Sequence, residues 1–223
     1  MKYLYLCVPC AFLVVMFLKA EKAERYVPAV VLKGLASACF VLLGVLGRRL
    51  CSDQSVACNV VTGLVLGLIA DVLLNLRFVF KKIGTPVFLV GILVFLAGHI
   101  FYLVALIPRC SGLLWCVLAG VVLTFLILKW IFSRIEAKKA FKIFGVFYIG
   151  AIVIMNCVAL GVLIASPSAH TAVYMLGAVF FLVSDIVLIL NTFGSETKFS
   201  LRIANISLYY LGQLMIALSL QLL

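Results

Sequence analysis

Two aspartates lie within long apolar stretches of the sequence, where burying a carboxyl group is energetically costly. Asp71 occurs in GLVLGLIADVLLNL and Asp185 in AVFFLVSDIVLIL. A carboxylate in hydrocarbon costs about 3 kcal/mol or more, so such residues usually face a bundle interior or a wet cavity. Two buried carboxyl groups can act as general acid and general base, because their surroundings set different proton affinities. We therefore predict that this pair marks the functional site. If the pair is catalytic, the sequence leaves open which aspartate is the acid.

Other polar residues recur inside the apolar stretches at helical spacing, which places them on shared helix faces. Gly63 and Gly67 precede Asp71 on one such face, and glycines allow neighbouring helices to approach closely. The further candidates for a site are Asn75, His99, Tyr102, Ser184, Tyr209, Gln213 and Lys33, with Ser37 and Tyr148 as additional polar residues. A buried ion pair between Lys33 and an aspartate is the structural alternative, and a lysine snorkelling to the interface is another.

Several chemistries lack support in the sequence. Neither a G-x-S-x-G elbow nor a phosphate-binding P-loop pattern occurs. Zinc hydrolases usually use about three protein ligands, and His99 is the one histidine placed deep in an apolar stretch. A metal held by His99 and the two aspartates stays an alternative, but we expect neither a metal nor a cofactor.

The composition predicts that membrane-spanning helices position these residues. Of the 223 residues, 67% are hydrophobic and 11% charged, far from a soluble domain. Apolar runs of membrane-spanning length must form helices, because unpaired backbone groups are not tolerated in lipid. We predict an all-α, polytopic transmembrane helical bundle of about eight spans in a single domain, 1–223. The predicted spans are 3–18, 28–46, 56–76, 86–107, 112–132, 142–165, 170–192 and 199–222.

The basic residues predict an orientation. They concentrate in alternate breaks between the runs, so the net charge of +11 indicates membrane topology and not nucleic-acid binding. By the positive-inside rule both termini are non-cytoplasmic, in a bacterial inner membrane or an endoplasmic-reticulum membrane. A cleaved signal peptide is the alternative for the first run. We expect the 133–141 break to be a helical extension into water. A disulfide among Cys51, Cys58 and Cys110 is open, as is the oligomeric state.

The sequence around the two aspartates favours an internal duplication. Asp71 and Asp185 fall in the third and seventh runs, and the runs that follow each of them are loosely alike. Four spans restore the orientation, so a 4+4 parallel repeat would place a shared site between the halves. Convergence on apolar residues is the alternative explanation.

Four blocks in order resemble the lysoplasmalogenase (YhhN-like) family of multi-pass membrane hydrolases. They are GLIADVLLNL around Asp71, Gly98-His99-x-x-Tyr102, Ser184-Asp185-x-x-Leu188 and Tyr209-Tyr210-x-Gly212-Gln213. These blocks cover runs three to eight. The family tends to have Lys-Pro in its second span, whereas Lys33 is followed here by Gly34.

The resemblance implies a function. A lysoplasmalogenase hydrolyses the vinyl ether bond of a lysophospholipid to a fatty aldehyde and glycerophosphoethanolamine or glycerophosphocholine. On that basis Asp71 and Asp185 would act as acid and base. The residues that would position water and the ether oxygen are His99, Tyr102, Tyr209, Gln213, Asn75 and Ser184, and Lys33 would bind the phosphate. The competing hypothesis is a proton- or cation-coupled transporter of small solutes that uses the same aspartates.

Overall fold

The structure is a computed structural model that describes residues 2–223. Within them, eight helices are long and apolar enough to cross a membrane, which confirms the predicted all-α bundle of a multi-pass membrane protein. Each predicted run corresponds to one helix. The helices are α1 Cys7–Lys22, α2 Tyr26–Arg48, α3 Gln54–Val79, α4 Gly84–Leu106, α5 Leu113–Phe132, α6 Lys139–Ala165, α7 Ala169–Phe193 and α8 Phe199–Ser219.

Side-chain caps define where two of the site-bearing helices begin. Asp53 caps α3 by accepting hydrogen bonds from the backbone N–H groups of Ser55 and Val56, each at 3.1 Å. Ser168 and Thr171 form a reciprocal capping box at the start of α7. These caps satisfy N–H groups that have no partner within the helix. They therefore fix the register of the two helices that carry Asp71 and Asp185.

Helix α8 is the most buried span, and α1 and α5 are peripheral. The closest helix pairs are α3 with α4 and α7 with α8. A Cβ on Gly177 would lie 2.9 Å from the carbonyl oxygen of Gly212, and one on Gly212 would lie 2.8 Å from that of Gly177. Only residues without a side chain allow α7 and α8 to approach this closely. The 4+4 repeat itself stays a prediction.

The prediction of a helical extension over 133–141 is wrong. Residues 133–138 are not helical, and α6 begins at Lys139. Ile135 forms an isolated antiparallel bridge with Gly194, and the Glu136 N–H donates to the carbonyl oxygen of Phe193 at 2.8 Å. Ile135 is buried, so an extended backbone both hides an apolar side chain and pairs with the α7–α8 loop.

The two ends of the bundle differ in charge. We call the end that carries the α1–α2, α3–α4, α5–α6 and α7–α8 loops the basic end, which is the predicted cytoplasmic side. The chain termini meet at the other end, where the Tyr3 N–H donates to Gln221 and the Ser52 hydroxyl donates to the carbonyl oxygen of Leu223. All eight cysteines are free thiols, with the sulfurs of Cys110 and Cys116 lying 3.7 Å apart.

Candidate functional site: an acidic pocket beside an apolar cavity

Asp71 and Asp185 face one cavity, which we call the acidic pocket. Asp71 lies on α3 and Asp185 on α7, and their exposed fractions are 1% and 3%. The pocket has a cavity volume of about 30 Å³ and is partly open to the outside. Its polar wall includes Asp71, Asp185, Lys33, Asn75, Tyr148 and Tyr209. Two carboxyl groups that are far apart in the sequence can therefore contact the same ligand.

The carboxyl group of Asp71 is fully engaged by the protein. The Lys33 ammonium lies 2.9 Å from Oδ1, and both side chains are buried. The hydroxyl groups of Ser37 and Tyr209 each donate to Oδ2 at 2.6 Å. A cation and two hydroxyl donors form the bonding pattern of an ionised carboxylate. Lys33, the candidate phosphate ligand, thus already neutralises a carboxylate.

A chain of side-chain hydrogen bonds orients Tyr209 from behind. The Gln213 Nε2 donates to the Tyr209 hydroxyl at 3.3 Å, and the Tyr102 hydroxyl donates to the Gln213 Oε1 at 2.7 Å. A Cβ on Gly67 would lie 2.7 Å from the Gln213 Nε2, so this glycine is what lets the amide reach α3. Tyr102 and Gln213 stand behind Tyr209 and are not part of the pocket wall. Their contacts fix Tyr209, which in turn holds Asp71.

Asp185 has much sparser surroundings. The Tyr148 hydroxyl on α6 donates to its Oδ2 at 2.6 Å. Within residues 2–223, no other side chain hydrogen-bonds this carboxyl group, and no lysine or arginine forms an ion pair with it. Its Oδ1 is therefore available to a ligand in the pocket.

His99 lies beneath Tyr148 in an aromatic layer and is 1% exposed. Its Nδ1 is 3.0 Å from the carbonyl oxygen of Phe95, which can only accept, so Nδ1 carries the proton. The Nε2 then presents a lone pair, and it has no partner in the described part of the chain. The ring packs against Phe181 and Tyr148 with centroid distances of 4.5 and 5.6 Å. His99 supports the pocket from outside its wall.

The two remaining candidates have different environments. Ser184 and Asn205 clamp α7 to α8, since the Ser184 hydroxyl donates to the Asn205 carbonyl and the Asn205 amide donates to the Ser184 carbonyl, both at 3.0 Å. Ser184 therefore acts away from the pocket wall. Asn75 does line the pocket, and its buried Nδ2 has no partner among residues 2–223. That N–H group can donate to a ligand.

A second, apolar cavity adjoins the acidic pocket and was not predicted from the sequence. It has a cavity volume of about 60 Å³ and lies between α4, α5, α6 and α7. Five residues line both spaces: Leu74, Phe88, Phe95, Tyr148 and Leu188. From Tyr148 the apolar cavity extends to Phe141 and Ile135 near the α5–α6 loop. The site as a whole thus has a polar compartment and a hydrocarbon-like compartment in contact.

Tyr148 hydrogen-bonds Asp185 and also lines both spaces. No role was predicted for it, because the sequence shows only a polar residue within an apolar run. In residues 2–223 no group of three or more His, Cys, Asp and Glu side chains is arranged to hold a metal ion. The polar groups that line the acidic pocket are the two carboxyls and the donors around them.

A match to a known protein family agrees with the resemblance carried by the four sequence blocks. The YhhN family profile matches residues 29–220, which is 192 of the 223 residues and includes every candidate site residue. Neither a curated protein nor a solved structure matches the chain. The matched region contains both aspartates and the walls of both cavities. The chain belongs to the YhhN family, the family that includes the lysoplasmalogenases.

Proposed function

We propose that the protein hydrolyses the vinyl ether bond of lysoplasmalogens. The products are a fatty aldehyde and glycerophosphoethanolamine or glycerophosphocholine. The observation that carries the proposal is the pair of buried carboxyl groups with unequal partners, in a pocket that adjoins an apolar cavity. Membership of the YhhN family supports hydrolysis at the level of the family.

The shape of the site suits an amphiphile with one hydrocarbon chain. The apolar cavity accepts the part of the chain next to the head group, and burial of each methylene stabilises binding by about 0.8 kcal/mol. The acidic pocket accepts the polar end. Because Tyr148 lines both spaces, the junction between chain and head group lies beside Asp185. In a lysoplasmalogen this junction is the vinyl ether.

Vinyl ether hydrolysis needs a proton donor first. A proton added to the distal alkene carbon leaves an oxocarbenium ion, with its charge shared between the proximal carbon and the ether oxygen. Water adds to the proximal carbon to form a hemiacetal, which collapses to the aldehyde and the glycerol hydroxyl. The net reaction consumes one water and no redox equivalent. It requires a neutral carboxylic acid and a nearby carboxylate, as in glycoside hydrolysis.

The unequal partners assign these two roles. Among residues 2–223 no cation pairs with Asp185, and a buried carboxyl group without a cation is more stable with its proton. We therefore propose Asp185 as the general acid, with its proton on the unengaged Oδ1. Asp71 carries negative charge beside Lys33, so it stabilises the oxocarbenium ion and orients the attacking water.

The test uses purified protein in detergent with a lysoplasmalogen, and measures aldehyde release. We expect Asp71→Asn and Asp185→Asn each to lower kcat by about 10²- to 10⁴-fold, the usual contribution of an acid–base group. The matched control ligand is the saturated 1-O-alkyl analogue, which has no alkene to protonate and should not react. Activity of either variant above about one per cent of wild type contradicts the assignment.

The same assay tests the competing transport hypothesis. Buried carboxyl groups also serve as proton or cation sites in transporters. Absence of aldehyde from wild-type protein, together with solute flux in liposomes that either Asp→Asn variant abolishes, would replace the hydrolase proposal with a transporter.

A further inference from the structure

An unpaired arginine lies at the boundary between the acidic pocket and the basic end. Arg77 is on α3, six residues after Asp71, and it lines both the acidic pocket and an outer groove of about 500 Å³. Arg202 on α8 also lines both spaces. Anything that reaches the two aspartates through this groove passes these two guanidinium groups.

Four cations line the two spaces, and three of them are neutralised. Lys198 in the outer groove pairs with Glu196 at 2.7 Å. Arg202 donates two hydrogen bonds to the Glu21 carboxylate, at 2.8 and 2.9 Å. Lys33 is paired with Asp71 at 2.9 Å. Arg77 forms no ion pair within residues 2–223, and its buried Nε has no hydrogen-bond partner there. The charge left over at the boundary is therefore that of Arg77.

The guanidinium group of Arg77 is held in place by aromatic rings and not by acids. Its central carbon lies 4.6 Å from the ring centroid of Phe78 and 4.3 Å from that of Phe88. Stacking fixes the plane of the group and leaves its N–H edge free. A buried polar donor without a partner is unfavourable, so the structure keeps a site that an acceptor would complete. A planar fork of donors fits the oxygens of a phosphate.

We propose that Arg77 binds the phosphate of the lysophospholipid head group. The proposal rests on the proposed function, because it assigns the part of that substrate farthest from the hydrocarbon chain. Six residues of helix at ~1.5 Å each separate Arg77 from Asp71 by about 9 Å along the axis. Helical side chains lean toward the helix N-terminus, which shortens the axial gap between Arg77 and Asp71, and both side chains line the acidic pocket. A glycerol unit spans the remaining gap.

Lys33, the sequence-based candidate for the phosphate, then has a different task. It neutralises Asp71 deep in the pocket. The buried Nδ2 of Asn75, two residues before Arg77, is a second free donor in the pocket wall. We infer that it donates to a glycerol oxygen between the phosphate and the ether.

The test measures binding, so that it does not depend on cleavage. Full-length protein in detergent is titrated with two unreactive ligands that share one saturated ether chain, 1-O-alkyl-glycerophosphoethanolamine and 1-O-alkylglycerol. We expect wild type to bind the phospholipid about 10- to 100-fold more tightly, which corresponds to hydrogen bonds to a charged group. In Arg77→Gln this ratio should fall to near one. Arg49→Gln, an exposed arginine at the opposite end of the bundle, is the matched control and should keep the wild-type ratio.

Arg77→Lys provides a second variant that preserves the charge. An ammonium lacks the bidentate fork, so an intermediate ratio is expected. A wild-type ratio in both Arg77 variants, or no preference for the phospholipid in wild type, overturns the proposal. Inorganic phosphate is the third ligand. If it binds wild type as tightly as the phospholipid does, the site takes free phosphate and the head-group assignment is wrong.

The two proposals fail separately. Wild-type protein that prefers the phospholipid through Arg77 but releases no aldehyde from a lysoplasmalogen would refute hydrolysis and leave the phosphate site. Wild-type protein that releases aldehyde with equal affinity for both unreactive ligands would refute the phosphate site and leave hydrolysis.

Discussion

Replacing Lys33 by methionine tests whether the charge balance of the acidic pocket is as described. Methionine approximates the apolar stem of lysine, so packing is largely kept while the cation is removed. Asp71, at 1% exposure, then loses the ammonium 2.9 Å from its Oδ1. Removing one partner of a buried ion pair costs about 3–5 kcal/mol. Because Ser37 and Tyr209 still donate to Oδ2, we expect the lower end, about 3 kcal/mol.

The double variant Lys33→Met/Asp71→Asn isolates the cause of that loss. No unpaired charge remains in it, and replacing both partners of a buried pair is often close to neutral. We expect it to recover at least half of the stability that the single variant loses. Unfolding in mixed detergent micelles, followed by circular dichroism, gives the free energies of unfolding. A loss below about 1 kcal/mol in Lys33→Met, or a double variant no more stable than the single one, would refute the reasoning.

Three further changes test other parts of the site and fold. Tyr148→Phe removes the one side-chain donor to Asp185 seen in residues 2–223. The kcat for aldehyde release should therefore fall by at least about tenfold, and its pH profile should shift. An unaltered pH profile would contradict a role of Tyr148 at Asp185. In Gly145→Leu the new side chain projects into the apolar cavity, where an added Cβ meets no atom within 4 Å. Binding of long-chain substrates should then become weaker than that of short-chain substrates by about 0.8 kcal/mol per excluded methylene. An unchanged ratio of kcat/KM between long-chain and short-chain substrates would place the hydrocarbon chain elsewhere. Hydrogen bonds from the backbone N–H of Val56 and from the Arg109 guanidinium hold the pKa of Asp53 below its usual value of 3.8. The ionised Asp53 therefore stabilises the fold above that pH, and this stabilisation is lost as the pH falls through the lower folded-state pKa. Asp53→Ala should lower the free energy of unfolding by about 1 kcal/mol at neutral pH and by little in strong acid, and Asp53→Asn should lower it less at neutral pH; equal losses at both pH values would exclude this role.

The membrane-spanning helices could be predicted from the sequence because a backbone in hydrocarbon must pair its polar groups internally. The helix face that points inward and carries Asp71 was also predicted correctly. A face that carries Gly63 and Gly67 packs against other helices, and in the structure Gly67 admits Gln213 next to Tyr209. Periodicity within one helix therefore predicted which residues turn inward.

Pairings between distant helices were beyond the sequence. In the sequence Arg77 and Arg202 both lie beside a break between apolar runs. Only the fold brings Glu21, 181 residues away, onto Arg202 and leaves Arg77 without an acid within residues 2–223. The apolar cavity has no local signal either, because an apolar residue facing a void and one facing lipid look the same in sequence. Residues 133–138 were mispredicted as helical for a related reason, since the pairing of Ile135 with Gly194 is a long-range contact.

Two features of the structure favour the same direction for the proposed substrate. The partners of the carboxyl groups favour Asp185 as acid and Asp71 as carboxylate. In the proposed complex the hydrocarbon chain meets the acidic pocket near Tyr148, one of the residues that line both spaces and the partner of Asp185, whereas Arg77 shares α3 with Asp71. In a vinyl ether the carbon that must be protonated lies on the chain side, and the cation develops on the side of the ether oxygen. A ligand with its chain toward Tyr148 and its phosphate toward Arg77 therefore presents the distal carbon to the acid and the developing cation to the carboxylate. Reaction in deuterated water would then place one deuterium on the aldehyde carbon next to the carbonyl, and a promptly quenched product without it would refute protonation at that carbon.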